Sequence, residues 1–347
     1  MASRAMMVTG SISGTGGIQH VNRAVHAVLR QLGYQLRCRT IRDESRPSTS
    51  RVTARRRLLF LARLQADRLW RPQLVFFDHA RIAFRSGWLW GASGRRVVFA
   101  HGVEVWQQRF WHVAVTLAHA DLVLCNSNYT RDKLLSLYGT DPSRLMVVHL
   151  GSDLPDPPDH QSTSRSGFVV AGRMSAAERY KGHDELLHAW PGVLSHHPGE
   201  ELRVVGDGDD RPRLQRLAQR LGVEKAVRFV GPVSDEEKAR QLRSARALLM
   251  LSTGEGFGLV TVEAMAAGTP VVGLAGTVTQ EIISDGENGL LVPDRGAASL
   301  LQAIRRLIDE PGLADQLGAA ARHDWEHRFT GARFHARLLA AFSAVRR

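Results

Sequence analysis

Short apolar runs recur along this chain, separated by stretches whose apolar residues repeat at helical spacing. No other feature constrains the fold as strongly. Such alternation gives parallel sheets covered by helices. In the first half, strands are expected at Arg4–Thr9, Gln73–Phe77, Arg96–Ala100, Leu122–Asn126 and Met146–His149, with a helix over Ile18–Leu32. The stretch Asp153–Ser166 is rich in proline, aspartate and serine, the composition of a linker. The pattern then restarts, with strands expected at Phe168–Ala171, Leu202–Val205, Val227–Val230, Ala247–Leu251, Pro270–Gly273 and Gly289–Val292. The expected fold class is α/β: two Rossmann-like, doubly wound parallel-sheet domains, residues 1–157 and 158–322. A length of 347 residues suits two cores better than one.

The charge is lopsided. Up to Pro157 there are 22 Lys and Arg against 10 Asp and Glu; from Pro158 onward the counts are 24 and 24. The whole net charge of +12 therefore lies in the first half. Such a field draws anionic partners to that half alone. Its densest part is Arg42–Arg71, where Arg51-Val-Thr-Ala-Arg-Arg-Arg-Leu-Leu-Phe-Leu-Ala-Arg-Leu sets a basic cluster against an apolar stretch. Two readings stay open: a helix lying on an anionic membrane surface, or a domain helix with an arginine-coated outer face. No recognition motif for nucleic acid accompanies the arginines, and few aromatics interleave with them, so no nucleic-acid partner is expected. The two cysteines, Cys38 and Cys125, make no disulfide framework or metal cluster. Both are expected to be buried thiols, which fits a reducing compartment. No apolar run is long enough for a membrane-spanning helix, and no secretory leader opens the chain. A cytoplasmic protein is expected, with peripheral contact at the inner face of the cell membrane as its extension.

The most informative segment is Ser252-Thr-Gly-Glu-Gly-Phe-Gly-Leu-Val-Thr-Val-Glu-Ala-Met-Ala-Ala-Gly-Thr-Pro-Val-Val272. A strand runs into a glycine-rich loop, and a helix follows from about Gly258. Ligands of doubly wound sheets sit beyond the carboxyl ends of the strands. There the N–H groups of Phe257, Gly258 and Leu259 suit a diphosphate. Glu255 stands in the loop and Glu263 in the helix, among neighbours too apolar to leave a carboxylate unpaired without cost. Taken alone, two glutamates at this spacing are as readily a wet helix face.

This block resembles the signature of family 4 of the retaining glycosyltransferases, which adopt the GT-B fold: Glu255, seven intervening residues, then Glu263 followed by Ala-Met-Ala-Ala-Gly-Thr-Pro-Val-Val. The resemblance implies that Glu255 contacts the hydroxyls of the donor sugar and Glu263 the ribose, with Val260 in the same donor-binding segment. Upstream, Ala171-Gly-Arg-Met-Ser-Ala-Ala-Glu-Arg-Tyr-Lys-Gly-His183 is similar to the family's Gly-Arg…Lys-Gly segment. Arg173 and Lys181 are permanent cations near a strand end and a helix start, suited to a diphosphate that gains charge as the sugar leaves. Val204-Val-Gly-Asp-Gly-Asp-Asp210 and Val227-Arg-Phe-Val-Gly-Pro-Val-Ser234 also resemble family segments, which carries Gly206 and Val230 to the nucleotide pocket. In the first half, Gly14-Thr-Gly-Gly-Ile-Gln19 is similar to the family's loop over the diphosphate, giving Gly16 and Gly17 that role. His101, in Ala100-His-Gly-Val-Glu-Val-Trp106, matches a family histidine that points at the transferred sugar. Residues 323–347 resemble the family's C-terminal helix, which packs back toward the first domain.

The resemblance implies two domains facing a cleft and a retaining, metal-independent hexosyltransferase. The catalytic set is His101, Glu255, Arg173 and Lys181. It implies no cofactor: the co-substrate is a nucleotide-diphosphate sugar, and the acceptor a glycan or lipid-linked molecule of surface polysaccharide or glycolipid synthesis. The rival readings are a phosphate-dependent glycosyl phosphorylase or a nucleotide-sugar epimerase on the same fold, and a non-catalytic binding member.

Overall fold

The structure, a computed structural model, describes residues 3–14, 16–41, 53–87, 94–106, 110–155 and 165–346. Most of the expected linker, and the basic stretch over residues 42–52, lie outside the described residues. The chain forms two compact units. One comprises Met1–Leu150 with Ala332–Arg347, the other Gly151–Gly331.

The first unit is built on β1 (Arg4–Thr9), β2 (Gln35–Thr40), β3 (Leu74–Phe77), β4 (Arg95–Ala100), β5 (Leu122–Cys125) and β6 (Leu145–Val147). All pair in parallel, in the order β2-β1-β3-β4-β5-β6. The runs Leu-Val-Phe-Phe of β3 and Leu-Val-Leu-Cys of β5 are buried at every position. That is what continuous apolar strands require when both faces of a sheet are covered. Edge strand β2 (Gln-Leu-Arg-Cys-Arg-Thr) was not among the expected strands, since it carries arginine where the others carry valine or leucine. Cys38 on this edge is half-buried, which corrects the expectation of two buried thiols; Cys125 is fully buried. The helix Gly331–Arg346 supplies buried Phe334, Leu338 and Phe342 to this unit. Phe342 meets Phe76 edge-on, and Phe334 stacks on His20.

The second unit carries β7 (Phe168–Ala171), β8 (Leu202–Val205), β9 (Val227–Gly231), β10 (Ala247–Met250), β11 (Val271–Leu274) and β12 (Gly289–Val292). These are also parallel, in the order β12-β11-β10-β7-β8-β9. Relabelled from its own first strand, this is the 3-2-1-4-5-6 winding of dinucleotide-binding sheets. Phe168, Trp190, Leu202, Leu249 and Val272 sit at its core. Both units are thus doubly wound parallel sheets, the expected fold class. Among the described residues, no helix is long and apolar enough to cross a membrane.

Candidate functional site

In the second sheet the winding reverses between β7 and β10. From β7 the chain turns toward β8 on one side, and from β10 toward β11 on the other. Loops leaving adjacent strands at such a point diverge and open a crevice beyond the carboxyl ends. Here the two loops are residues 172–182 and 251–258.

Glycines set how closely the two loops approach. Gly182 has φ 86°, and a Cβ there would come 2.8 Å from the Leu251 Cβ. The Tyr180 ring lies over Gly254, where a Cβ would come 2.5 Å from a ring carbon. The Thr253 N–H donates to the Tyr180 carbonyl at 3.0 Å. Fixed in this way, Lys181 Nζ stands 2.8 Å from Glu255 Oε1, each side chain about one-fifth exposed. On the other flank of Lys181, at 4.0 Å, is Glu178 Oε2, which also accepts from Arg173 Nε at 3.2 Å. Arg173, Glu178, Lys181 and Glu255 therefore form one row of alternating charge across the switch point. Arg173 is its exposed end.

The helix Leu259–Ala266 starts immediately beyond this row. Gly258 is its N-cap, in the left-handed region at φ 82°, and no side chain among the described residues caps it. The first N–H groups of such a helix lack intrahelical partners and carry its positive dipole end. Phe257 anchors the turn, buried edge-on against Phe329.

One turn further in, Glu263 is 12% exposed, and its Oε1 accepts from Lys238 Nζ at 2.8 Å. Burial raises the Glu263 pKa above the ordinary carboxylate value, and Lys238 opposes the rise. Burial also works against the charge on Lys238, but Glu263 and Asp235 outweigh it, so that its pKa stands above normal. Gly206 and Val230 lie at the carboxyl ends of β8 and β9, where Gly206 N–H donates to Gly231 O at 2.9 Å. Gly206 has φ 124°, and a Cβ there would come 2.1 Å from the Gly172 carbonyl oxygen.

The structure thus brings Lys181 into direct contact with Glu255, joins Arg173 to Lys181 through Glu178, and sets Glu263 on the adjoining helix. Sequence reading missed Glu178 and Lys238. The signal for Glu178 was available: an acid three residues before Lys181 and five after Arg173. Lys238 carried no local signal, because it reaches Glu263 from a different βα unit.

The first unit has its own cluster, at the reversal between β1 and β3. Asp78 follows β3 directly and is buried. Its Oδ2 accepts from Gly10 N at 2.8 Å and from Asn22 Nδ2 at 2.9 Å. Asn22 Nδ2 also donates to Ser11 O at 2.8 Å. Among the described residues, Asp78 Oδ1 and Asn22 Oδ1 are buried without a hydrogen-bond partner. His101 follows β4, its Nε2 lying 2.8 Å from the Asp78 carbonyl oxygen. Burial, with His79 nearby, lowers the His101 pKa to about 3, so the ring is neutral and its Nε2–H donates. Burial pushes Asp78 up to about 6 and Glu104 up to about 7; Glu104 Oε1 accepts from His101 N at 2.6 Å. Gly16 caps the helix Gly17–Gln31 with φ 155°, and Gly17 opens that helix. Asp78 was not singled out from the sequence, although an acid closing the apolar run of β3 marks it. Among the described residues, no group of three or more His, Cys, Asp or Glu is placed to hold a metal ion.

Two family profiles match the chain: Glycosyltransferase Family 4 over residues 15–155 and Glycosyl transferases group 1 over residues 159–324. The glycogen synthase of Mycobacterium tuberculosis is 30% identical over 298 residues, which are 77% of this chain and 69% of that one. A D-inositol 3-phosphate glycosyltransferase of Streptomyces bingchenggensis is 35% identical over 227 residues, 60% of this chain. The chain spans about half (49%) of that relative's length. The solved sucrose-phosphate synthase of Thermosynechococcus elongatus superposes with a TM-score of 0.81 at 22% identity, over 99% of both chains. The Anabaena protein HepE, solved with UDP and glucose, gives 0.76 at 19% identity, over 98% of this chain and all of that one. At such identities the likeness bears on the fold.

Proposed function

Since the chain belongs to the group 1 glycosyl transferases, glycosyltransferase family 4 with the GT-B fold, we propose that it moves a hexose from a nucleotide-diphosphate sugar to a glycan or lipid-linked acceptor, with retention of anomeric configuration. The observation that carries this reading is the charge row at the switch point of the second sheet. Arg173 and Lys181 are the diphosphate ligands, and Leu259 and Val260 add N–H groups from the helix start. As the glycosidic bond breaks, negative charge grows on the departing phosphate, and fixed cations stabilise it without reorganisation. That phosphate takes the proton from the attacking acceptor hydroxyl. Glu255, steadied by Lys181, accepts hydrogen bonds from the sugar hydroxyls. Glu263, paired with Lys238 through Oε1, offers Oε2 to the ribose.

The first unit takes the acceptor in this reading. Its neutral His101, with Nε2–H committed to Asp78 O, offers Nδ1 to a sugar hydroxyl. The Gly16 and Gly17 amides are offered to a phosphate. Arginine and lysine supply the charge that a metal would otherwise bring, so the reaction is proposed to need neither metal nor cofactor. The basic first half favours an anionic acceptor held at the inner face of the cell membrane, as in surface polysaccharide or glycolipid synthesis.

Slow donor hydrolysis tests this without knowledge of the acceptor. The protein is incubated with UDP-, GDP-, ADP-, TDP- and CDP-sugars in EDTA, and release of nucleoside diphosphate is followed. The reading expects one base to be turned over in EDTA, with release about 100-fold slower in Glu255→Gln. Release that requires added Mn²⁺ or Mg²⁺ would end the metal-free part. Sugar release that requires inorganic phosphate and no nucleotide would favour the phosphorylase.

A further inference from the structure

The helix Ala54–Asp67 has two apolar faces. Phe60 and Leu64 point inward and are buried. At about 3.6 residues per turn, Leu58, Leu59, Ala62 and Ala66 fall on the opposite side. All four are exposed, Leu58 at 69% and Leu59 at 50%. Leu69, on the turn that follows, is 88% exposed. A helix on the surface of a globular domain ordinarily turns its polar residues outward.

Charge frames this outward face. Arg55 stands within it and Arg63 at one margin, while Arg57 falls on the side of buried Leu64; all three are exposed. Between residues 45 and 77 the chain holds eight arginines and a single acid, Asp67. Asp67 does not dilute the surface charge. It is 3% exposed and paired inward with Arg39 at 2.6 Å and Arg37 at 3.0 Å. The helix therefore presents leucine, alanine and Gln65 outward, with Arg55 among them, Arg63 at the edge and no acid on that side.

We propose that the helix Ala54–Asp67 and the turn after it dock the first unit onto an anionic lipid surface. Leu58, Leu59 and Leu69 enter the boundary between headgroups and acyl chains, and Arg55 and Arg63 meet lipid phosphates. Exposed leucines with arginines beside them and no acid are the composition of helices that lie in the bilayer interface. A nucleic acid would use the arginines but leave three leucines in water. The inference deepens the reading of a membrane-held acceptor, and rests on that reading for its purpose but not for its geometry.

Flotation of the full chain with vesicles tests it, using phosphatidylcholine alone and phosphatidylcholine mixed with phosphatidylglycerol. The wild type is expected to float with the mixed vesicles, not with the neutral ones, and to be released by salt. Leu58→Ser with Leu59→Ser should cut the bound fraction at least tenfold. Arg55→Gln with Arg63→Gln should cut it by roughly fivefold per arginine. These four side chains are exposed, so both variants should fold and keep the donor hydrolysis of the wild type. A wild type that stays at the bottom with mixed vesicles would overturn the docking proposal, as would variants that float equally well. Donor hydrolysis in the same preparations reports separately on the glycosyltransferase reading. A concentration-dependent dimer that the leucine variant abolishes would assign this face to a second copy of the chain and also overturn the proposal.

Discussion

The ammonium of Lys238 lies 2.8 Å from Oε1 of Glu263, joining two helices of different βα units beside the switch point. Removing one partner of a shielded ion pair leaves the other's charge uncompensated, a cost larger than the pair's own worth. Both side chains keep some solvent contact, so Lys238→Met is expected to lose about 1–3 kcal/mol in urea unfolding. Lys238→Met with Glu263→Gln should recover most of that loss, a coupling measured by the double-mutant cycle. Losses that simply add would mean the two groups do not sense each other.

In the proposed donor complex, Glu178 would compete with the diphosphate for Arg173 and Lys181. It accepts from Arg173 Nε at 3.2 Å and lies 4.0 Å from Lys181 Nζ. A bound diphosphate would take over these cations and face the displaced carboxylate. Glu178→Gln is therefore expected to lower the KM for the donor by about fivefold, the effect of relieving roughly 1 kcal/mol of repulsion in a solvated setting, with a smaller change in kcat. A raised KM would show that Glu178 instead holds the cations in place.

Lys181 Nζ and Glu255 Oε1 are in contact at 2.8 Å, and the proposed reaction uses the two together. Lys181→Met and Glu255→Gln should each lower kcat/KM for donor hydrolysis by about 100-fold. The double variant should be little worse than the weaker single one, because groups that act together give non-additive losses. Full additivity would argue that the contact plays no part in turnover.

The acids of the first unit make its stability depend on pH. Burial raises Asp78 to about 6 and Glu104 to about 7. For a carboxyl with a raised folded-state pKa, the contribution is fully present below the unfolded value. It is lost as pH rises through the folded value. These two acids should therefore withdraw stability from the first unit between about pH 4 and pH 8. Asp78→Asn keeps an acceptor for Gly10 and Asn22 and removes the titration. Its stability relative to wild type should improve from pH 5 to pH 8, read as Tm at each pH. A difference that stays constant with pH would rule out ionisation of Asp78 as the cause. His101, lowered to about 3, stays neutral in the folded chain but protonates near 6.5 once unfolded, so it contributes stability that grows as pH rises from about 3 to about 6.5 and opposes the trend of the acids.

Much of the fold was legible because the strands are continuous apolar runs. Arg4–Thr9, Phe168–Ala171, Leu202–Val205 and Gly289–Val292 are placed to the residue. The strand that escaped, Gln35–Thr40, is an edge strand with one neighbour, where Arg37 and Arg39 face Asp67 rather than a core. At the switch point, the glycines and the charged residues could be read in order along the chain. What pairs with them could not. Lys238 is 25 residues from Glu263 in sequence, and Asp78 is 56 from Asn22. Contacts of that kind come from sheet order, which local patterning does not encode. The Arg42–Arg71 stretch left two readings open. Its described part turns Leu58 and Leu59 outward and buries Phe60 and Leu64, a division that depends on which helix face the sheet claims.

The central claim is that the second unit binds a nucleoside diphosphate across Arg173, Lys181 and the helix that carries Glu263. Thermal unfolding with UDP, GDP, ADP, TDP and CDP, on wild type and Glu263→Gln, tests it most directly. A ligand at 100 times its Kd stabilises by about 2.7 kcal/mol, worth a few degrees of Tm in a protein of this size. A clear upward shift is expected with one base, reduced in the variant. No shift with any of the five would contradict it.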